Sequence, residues 1–140
     1  MSTDLAHERL YAQHLEGASW PDAAEAVRRL GAVQAQEYPP ARWAVASRTV
    51  NCTEADIDAA LAGGSIIRTH ILRSTWHFVT PDNIRWIMDA TAPRVHAMNA
   101  YYYRKTGLDD AIFAKAKTAL AAALRGGQQF TRAEMEAVLH

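Results

Sequence analysis

Two glutamines one residue apart, Gln34 and Gln36, interrupt an otherwise apolar stretch of this 140-residue chain. Neither amide is a general base strong enough to strip a proton from water, so any catalytic part for them is to hold and orient a water molecule by hydrogen bonds. Geometry decides whether both can reach one atom. On a regular helix, side chains at i and i+2 point about 200° apart and cannot converge. In an extended segment they share a side, and the prolines that follow, Pro39 and Pro40, favour extended backbone at Tyr38 and Pro39. On spacing alone, two surface glutamines in a turn is the favoured reading. No serine, cysteine or carboxylate arrangement resembles a nucleophile beside its base.

A second group is cationic. Arg68, His70, Arg73 and His77 lie within ten residues of one another and are candidates for contact with phosphate or a groove. Two histidines on one face are also a partial metal set, but no third ligand lies nearby, so no metal site is expected. Further on, Tyr101-Tyr-Tyr103 runs into Arg104-Lys105. Aromatic and basic neighbours can stack on bases and hold phosphates, although three consecutive tyrosines on a helix also span most of its circumference.

The elements that must position these residues are mostly helical. Thr3–Glu16 carries a loose apolar stripe of Leu5, Leu10 and Leu15. A second helix is expected from Pro21 to the stop at Gly31, with Ala24, Val27 and Leu30 inward. A turn or frayed segment over 32–40 precedes a third helix over Ala41–Thr49, with Trp43 and Val45 as candidate core. Thr53 can cap a fourth helix that buries Ile57, Ala60 and Leu61 and stops at Gly63-Gly64. Ile66–Ile71 and Thr75–Val79 are rich in branched and aromatic residues and read as a hairpin. Alternation predicts one apolar and one basic face, and the turn at Leu72-Arg73-Ser74 lacks glycine and proline. Pro81 to about Ala90 and Pro93 to Lys105 read as two helices. Asp109–Leu124 follows, closed by Arg125-Gly-Gly127, and Thr131-Arg-Ala-Glu134 is a capping box opening a last helix.

Composition bounds the class. Hydrophobic residues make 49% and charged residues 21%, a globular balance. Cys52 is the single cysteine, which excludes an internal disulfide. No signal-peptide pattern or membrane-length apolar run is present, so the expected location is the cytoplasm. Net charge is zero, yet it is unevenly spread: residues 1–63 carry five basic and nine acidic side chains, and residues 64–105 carry six and two. Affinity for phosphate follows the local patch more than the total, so the middle third is where an anion would sit.

Short helices followed by a two-strand hairpin define a winged helix-turn-helix, a mainly α fold whose hairpin forms the wing. The expected organisation is a first winged-helix unit over 1–90, a connecting helix over 91–108, and over 109–140 the start of a second, truncated unit. The helix before the wing, which would ordinarily read the major groove, carries Glu54, Asp56 and Asp58 and no basic residue. That disfavours a sequence reader and moves the expected contact to the hairpin.

Leu30-Gly-Ala-Val-Gln-Ala-Gln-Glu-Tyr-Pro-Pro40, followed by Ser65-Ile-Ile-Arg-Thr-His-Ile-Leu-Arg-Ser-Thr-Trp-His-Phe-Val79, resembles the winged-helix DNA glycosylases of the AlkZ/YcaQ type. The resemblance covers nearly the whole chain and implies excision of alkylated, N7-modified purines from double-stranded DNA, interstrand crosslinks included, without metal or other cofactor. The family's motif is Gln-apolar-Gln or Gln-apolar-Asp. Gln34 and Gln36 match the first form, with Ala35 between them, and by resemblance are the catalytic pair. The aspartate that would serve as a base is absent, and the usual Gly or Pro of the wing turn is Ser74 here. DNA contact by resemblance and charge falls to Arg68, His70, Arg73, His77, Arg104 and Lys105. The alternative is a non-catalytic winged-helix DNA-binding or regulatory module, and from a third class, a helical interaction domain.

Overall fold

The computed structural model describes residues 4–17, 19–73 and 75–139. Ser74 of the wing turn, and Thr3 at the expected start of the first helix, lie outside the described residues. The described chain forms α1 (Leu5–Ala12), α2 (Ala23–Leu30), β1 (Val33–Gln34), α3 (Tyr38–Ala46), α4 (Glu54–Ala62), β2 (Ile67–Ile71), β3 (Thr75–Val79), α5 (Pro81–Thr106), α6 (Asp110–Ala123) and α7 (Arg132–Leu139). Contacts divide it into two compact units, residues 1–95 and 96–140.

In the first unit, the run α2-β1-α3-α4-β2-β3 closes an antiparallel sheet of order β1-β3-β2. This is a winged-helix fold with a third strand, β1, inside the stretch 32–40 where a turn or frayed segment is expected. The core lies between the sheet and three helices: Ala23, Ala26 and Val27 of α2, Ala41 and Val45 of α3, Ile57 of α4, and Ile66 and Phe78. The other face of the sheet sends Ile71 and Val79 against Ile87 of α5. The hairpin is thus covered on both faces.

Several expectations are corrected. The Leu5, Leu10 and Leu15 stripe is exposed, and α1 has no buried residue. α2 begins at Ala23 behind the N-cap Asp22, whose carboxylate accepts the Glu25 N–H at 2.8 Å, and Pro21 lies outside it. α3 starts at Tyr38, so Pro39 and Pro40 sit in its first turn. First-turn N–H groups have no intrahelical acceptor, so proline there forfeits nothing. Trp43, expected in the core, is 73% exposed, whereas Val45 is buried. The two helices predicted on either side of Pro93 are one, the 26-residue α5, with Pro93 inside it.

The second unit takes in the end of α5, α6 and α7. The turn after α5 needs left-handed backbone, and Gly107 supplies it at φ +71°. The Leu108 N–H then donates to the Tyr103 carbonyl at 2.9 Å, a Schellman closure. Tyr103 packs edge-on to Phe113 of α6, ring centroids 5.2 Å apart. The predicted capping box closes α7: Thr131 N–H and hydroxyl both donate to the Glu134 carboxylate, at 2.6 and 2.7 Å.

Candidate active site

β1 pairs with β3 in a two-residue ladder, Val33 opposite Phe78 and Gln34 opposite His77. Antiparallel partners share a face, so alternation sends Val33 to the core side with Phe78 and Gln34 to the other. Ala35 returns to the core and is fully buried. Gln34 and Gln36 are both exposed and line one cleft of about 260 Å³ with Glu37, Pro40 and Ala41. The extended segment therefore brings the two amides to a common opening, as helical backbone could not.

The ladder stops at Ala35 because of Arg68. The Ala35 N–H donates to the Trp76 carbonyl at 2.8 Å. A continuing ladder would return the Trp76 N–H to the Ala35 carbonyl. That carbonyl instead accepts from Arg68 Nε and Nη2, at 3.1 and 3.0 Å, and Nη2 reaches the Gln36 carbonyl at 3.3 Å. The displaced Trp76 N–H donates to Gln36 Oε1 at 3.4 Å. The guanidinium lies 4.5 Å from the Trp76 ring centre and 5.5 Å from that of Tyr38. Arg68 thus fixes the backbone on which the glutamine pair stands.

Tyr38, at the start of α3, donates its hydroxyl to Asp58 at 2.6 Å. That hydrogen bond, aided by burial and by the Asp58 charge, raises the phenol pKa above its ordinary value, so Tyr38 keeps its proton. Arg42 bridges the same Asp58 at 3.1 Å and Glu54 at 3.2 Å. Two of the three carboxylates that made α4 look repellent to DNA are therefore paired with a cation of α3.

The hairpin cations do not form one basic face. Register places Arg68 opposite Phe78 and His70 opposite Trp76, but His77 opposite Thr69. Arg68 and His70 thus share a face with two aromatics, and His77 lies on the other. His77 is buried, its Nδ1 2.8 Å from the Thr75 carbonyl. A carbonyl only accepts, so Nδ1 carries the hydrogen. His70 is exposed and lies against Trp76 with ring centroids 4.0 Å apart. Arg73 is exposed in the turn, after Leu72 at φ +59°. Arg104 and Lys105 are exposed in the second unit, as are Tyr101 and Tyr102, while Tyr103 is turned toward Phe113. Among the described residues no three His, Cys, Asp or Glu side chains come together as a metal would need.

Sequence reasoning passed over Glu37, although it lines the cleft beside the glutamines. Strict alternation would put it with Ala35 in the core, but a bend at Gln36 and Glu37 turns it outward. Its adjacency to the glutamine pair was the available signal.

A winged-helix unit presenting two glutamines from the extended segment at and just beyond its first strand defines a class that comparison narrows further. The chain belongs to the AlkZ-like DNA glycosylase family, whose pattern matches residues 27–140. Its fold is similar to that of the Streptomyces sahachiroi DNA glycosylase AlkZ, with a TM-score of 0.78 and 25% identity. That likeness covers 94% of this chain and 35% of the Streptomyces protein, so the chain spans about a third of its length. No curated protein matches in sequence.

Proposed function

We propose that this chain is the water-positioning segment of a monofunctional DNA glycosylase that hydrolyses the N-glycosidic bond of N7-alkylated purines in duplex DNA, crosslinked adducts included. The observation that carries the reading is the placement of Gln34 and Gln36 on one open cleft, in a segment whose Ala35 and Gln36 carbonyls are held by Arg68. Alkylation at N7 makes the purine cationic, so it departs as a neutral base and needs no strong acid. What the enzyme must supply is a water held in line with the sugar carbon, a positioning task that two amides can perform. Arg73 and His70 in the first unit, and Arg104 and Lys105 in the second, are exposed and take the phosphate contacts. Arg68 and His77 are engaged inside the fold and leave that role. The pair α6 and α7, joined by the turn at Arg125–Gly127, opens a second winged-helix unit.

The test is excision of N7-methylguanine from a defined duplex by the full-length protein and by Gln34→Ala and Gln36→Ala. Each variant should lose at least tenfold in single-turnover rate while binding DNA as before. Equal rates in all three proteins would leave the glutamines without a catalytic part and favour a module that binds without cutting.

A further inference from the structure

Resting on the glycosylase reading, we propose that Glu37 is the general base that takes the proton from the attacking water. A reaction with two neutral amides lacks a proton acceptor, and Glu37 is the one carboxylate lining their cleft. Its side chain is free for local reasons. Glu37 is the N-cap of α3, and an N-cap side chain ordinarily accepts the N–H of the second or third helical residue. Those residues are Pro39 and Pro40, which have no N–H, and Glu37 makes no capping hydrogen bond. No ion pair to its carboxylate occurs among the described residues. The bend at Gln36 and Glu37 directs it to the open side with the amides, although the strand pattern would have buried it. The same prolines that start α3 therefore leave a carboxylate unclaimed beside the water site.

The step balances without a co-reactant. Gln34 and Gln36 hold the water; its oxygen bonds to C1′ of the deoxyribose as the C1′–N9 bond breaks. The bonding pair passes to the purine and cancels its positive charge. The water proton goes to the Glu37 carboxylate, and the products are an abasic site and a neutral N7-alkylpurine.

The experiment is single-turnover excision of N7-methylguanine by the full-length protein, with Glu37→Gln, Glu37→Ala and the two glutamine variants measured together. Loss of a general base costs about 10²- to 10⁴-fold, so Glu37→Gln should fall at least a hundredfold with DNA affinity and Tm unchanged. Added formate should restore part of the rate to Glu37→Ala, because a small carboxylate can occupy the vacated space. A Glu37→Gln protein at wild-type rate, beside Gln34→Ala and Gln36→Ala that have lost theirs, overturns the base and leaves the glycosylase standing. A rate loss that tracks lost DNA binding or lost folding, without formate rescue, overturns it as well. Absence of excision by the wild-type protein fails the glycosylase reading itself, and Glu37 with it.

Discussion

Replacing Arg68 separates two roles that its charge alone would confuse. Its guanidinium makes a two-pronged bond to the Ala35 carbonyl, a weaker one to the Gln36 carbonyl, and two ring contacts. Hydrogen bonds from a charged donor contribute about 1.5–3 kcal/mol net. Both prongs share one oxygen and count once, at about 2 kcal/mol. The ring contacts add about 1 kcal/mol, and the orphaned carbonyl of a buried residue adds a further cost of about 1 kcal/mol. Arg68→Ala should therefore destabilise the first unit by about 3–4 kcal/mol, read as a lowered urea midpoint. Arg68→Lys keeps the charge but not the fork and should lose about half of that. In the full-length protein, release of the Ala35–Gln36 backbone should slow excision by about 10²-fold, the cost of misplacing a positioned group by about 1 Å. The slope of log affinity for DNA against log salt should not change. A phosphate-contacting arginine would behave oppositely: the slope would shrink by about 0.9 for the lost contact while stability held. That outcome would refute the assignment of Arg68 to the strand.

Other consequences are simpler to read. Phe78 is fully buried at the centre of the first unit's core, so Phe78→Ala should cost about 3–5 kcal/mol in urea unfolding. Asp56 and Glu134 both accept from the hydroxyl and backbone N–H of their capping threonines, and these bonds lower both pKa values below the ordinary 3.8 and 4.5. A depressed carboxylate contributes stability that is complete above its unfolded value and lost as pH falls through its folded one. The urea midpoint should thus be flat above pH 5 for these groups and decline below about pH 4. Asp56→Asn should flatten part of that decline.

The elements with strong local signals were legible in the sequence. Thr53 and Thr131 have a carboxylate three residues on, and both boxes form. The branched and aromatic runs form the hairpin. What sequence could not show depends on contacts distant along the chain. β1 exists because Val33 and Gln34 meet β3 more than forty residues later, and its two-residue length leaves no periodicity to detect. Pro39 and Pro40 read as holding Tyr38 and Pro39 extended but sit without cost in a first helical turn, a matter of where the helix begins. For the site, the glutamine pair was visible as a motif, and its convergence on one cleft followed from extended backbone. Arg68 and His77 looked like surface cations from strand alternation. Their actual places depend on cross-strand register and on a carbonyl thirty-three residues earlier, neither of which is encoded locally.

Ala35 has no exposed surface, while the glutamine on each side of it is open to solvent. Inheritance therefore acts on this three-residue segment through two separate filters. A bulkier residue at the middle position is removed because the protein fails to fold, whatever its chemistry. A change at either flank passes that filter almost unopposed, since among the described residues only the Gln36 bond to the Trp76 N–H is at stake. On the proposed glycosylase reading, two single-codon events then turn an excising enzyme into an intact protein that still holds its shape and no longer releases the base. Within such a lineage, folded silent copies would accumulate, and the state of the two flanking positions would tell them from working ones.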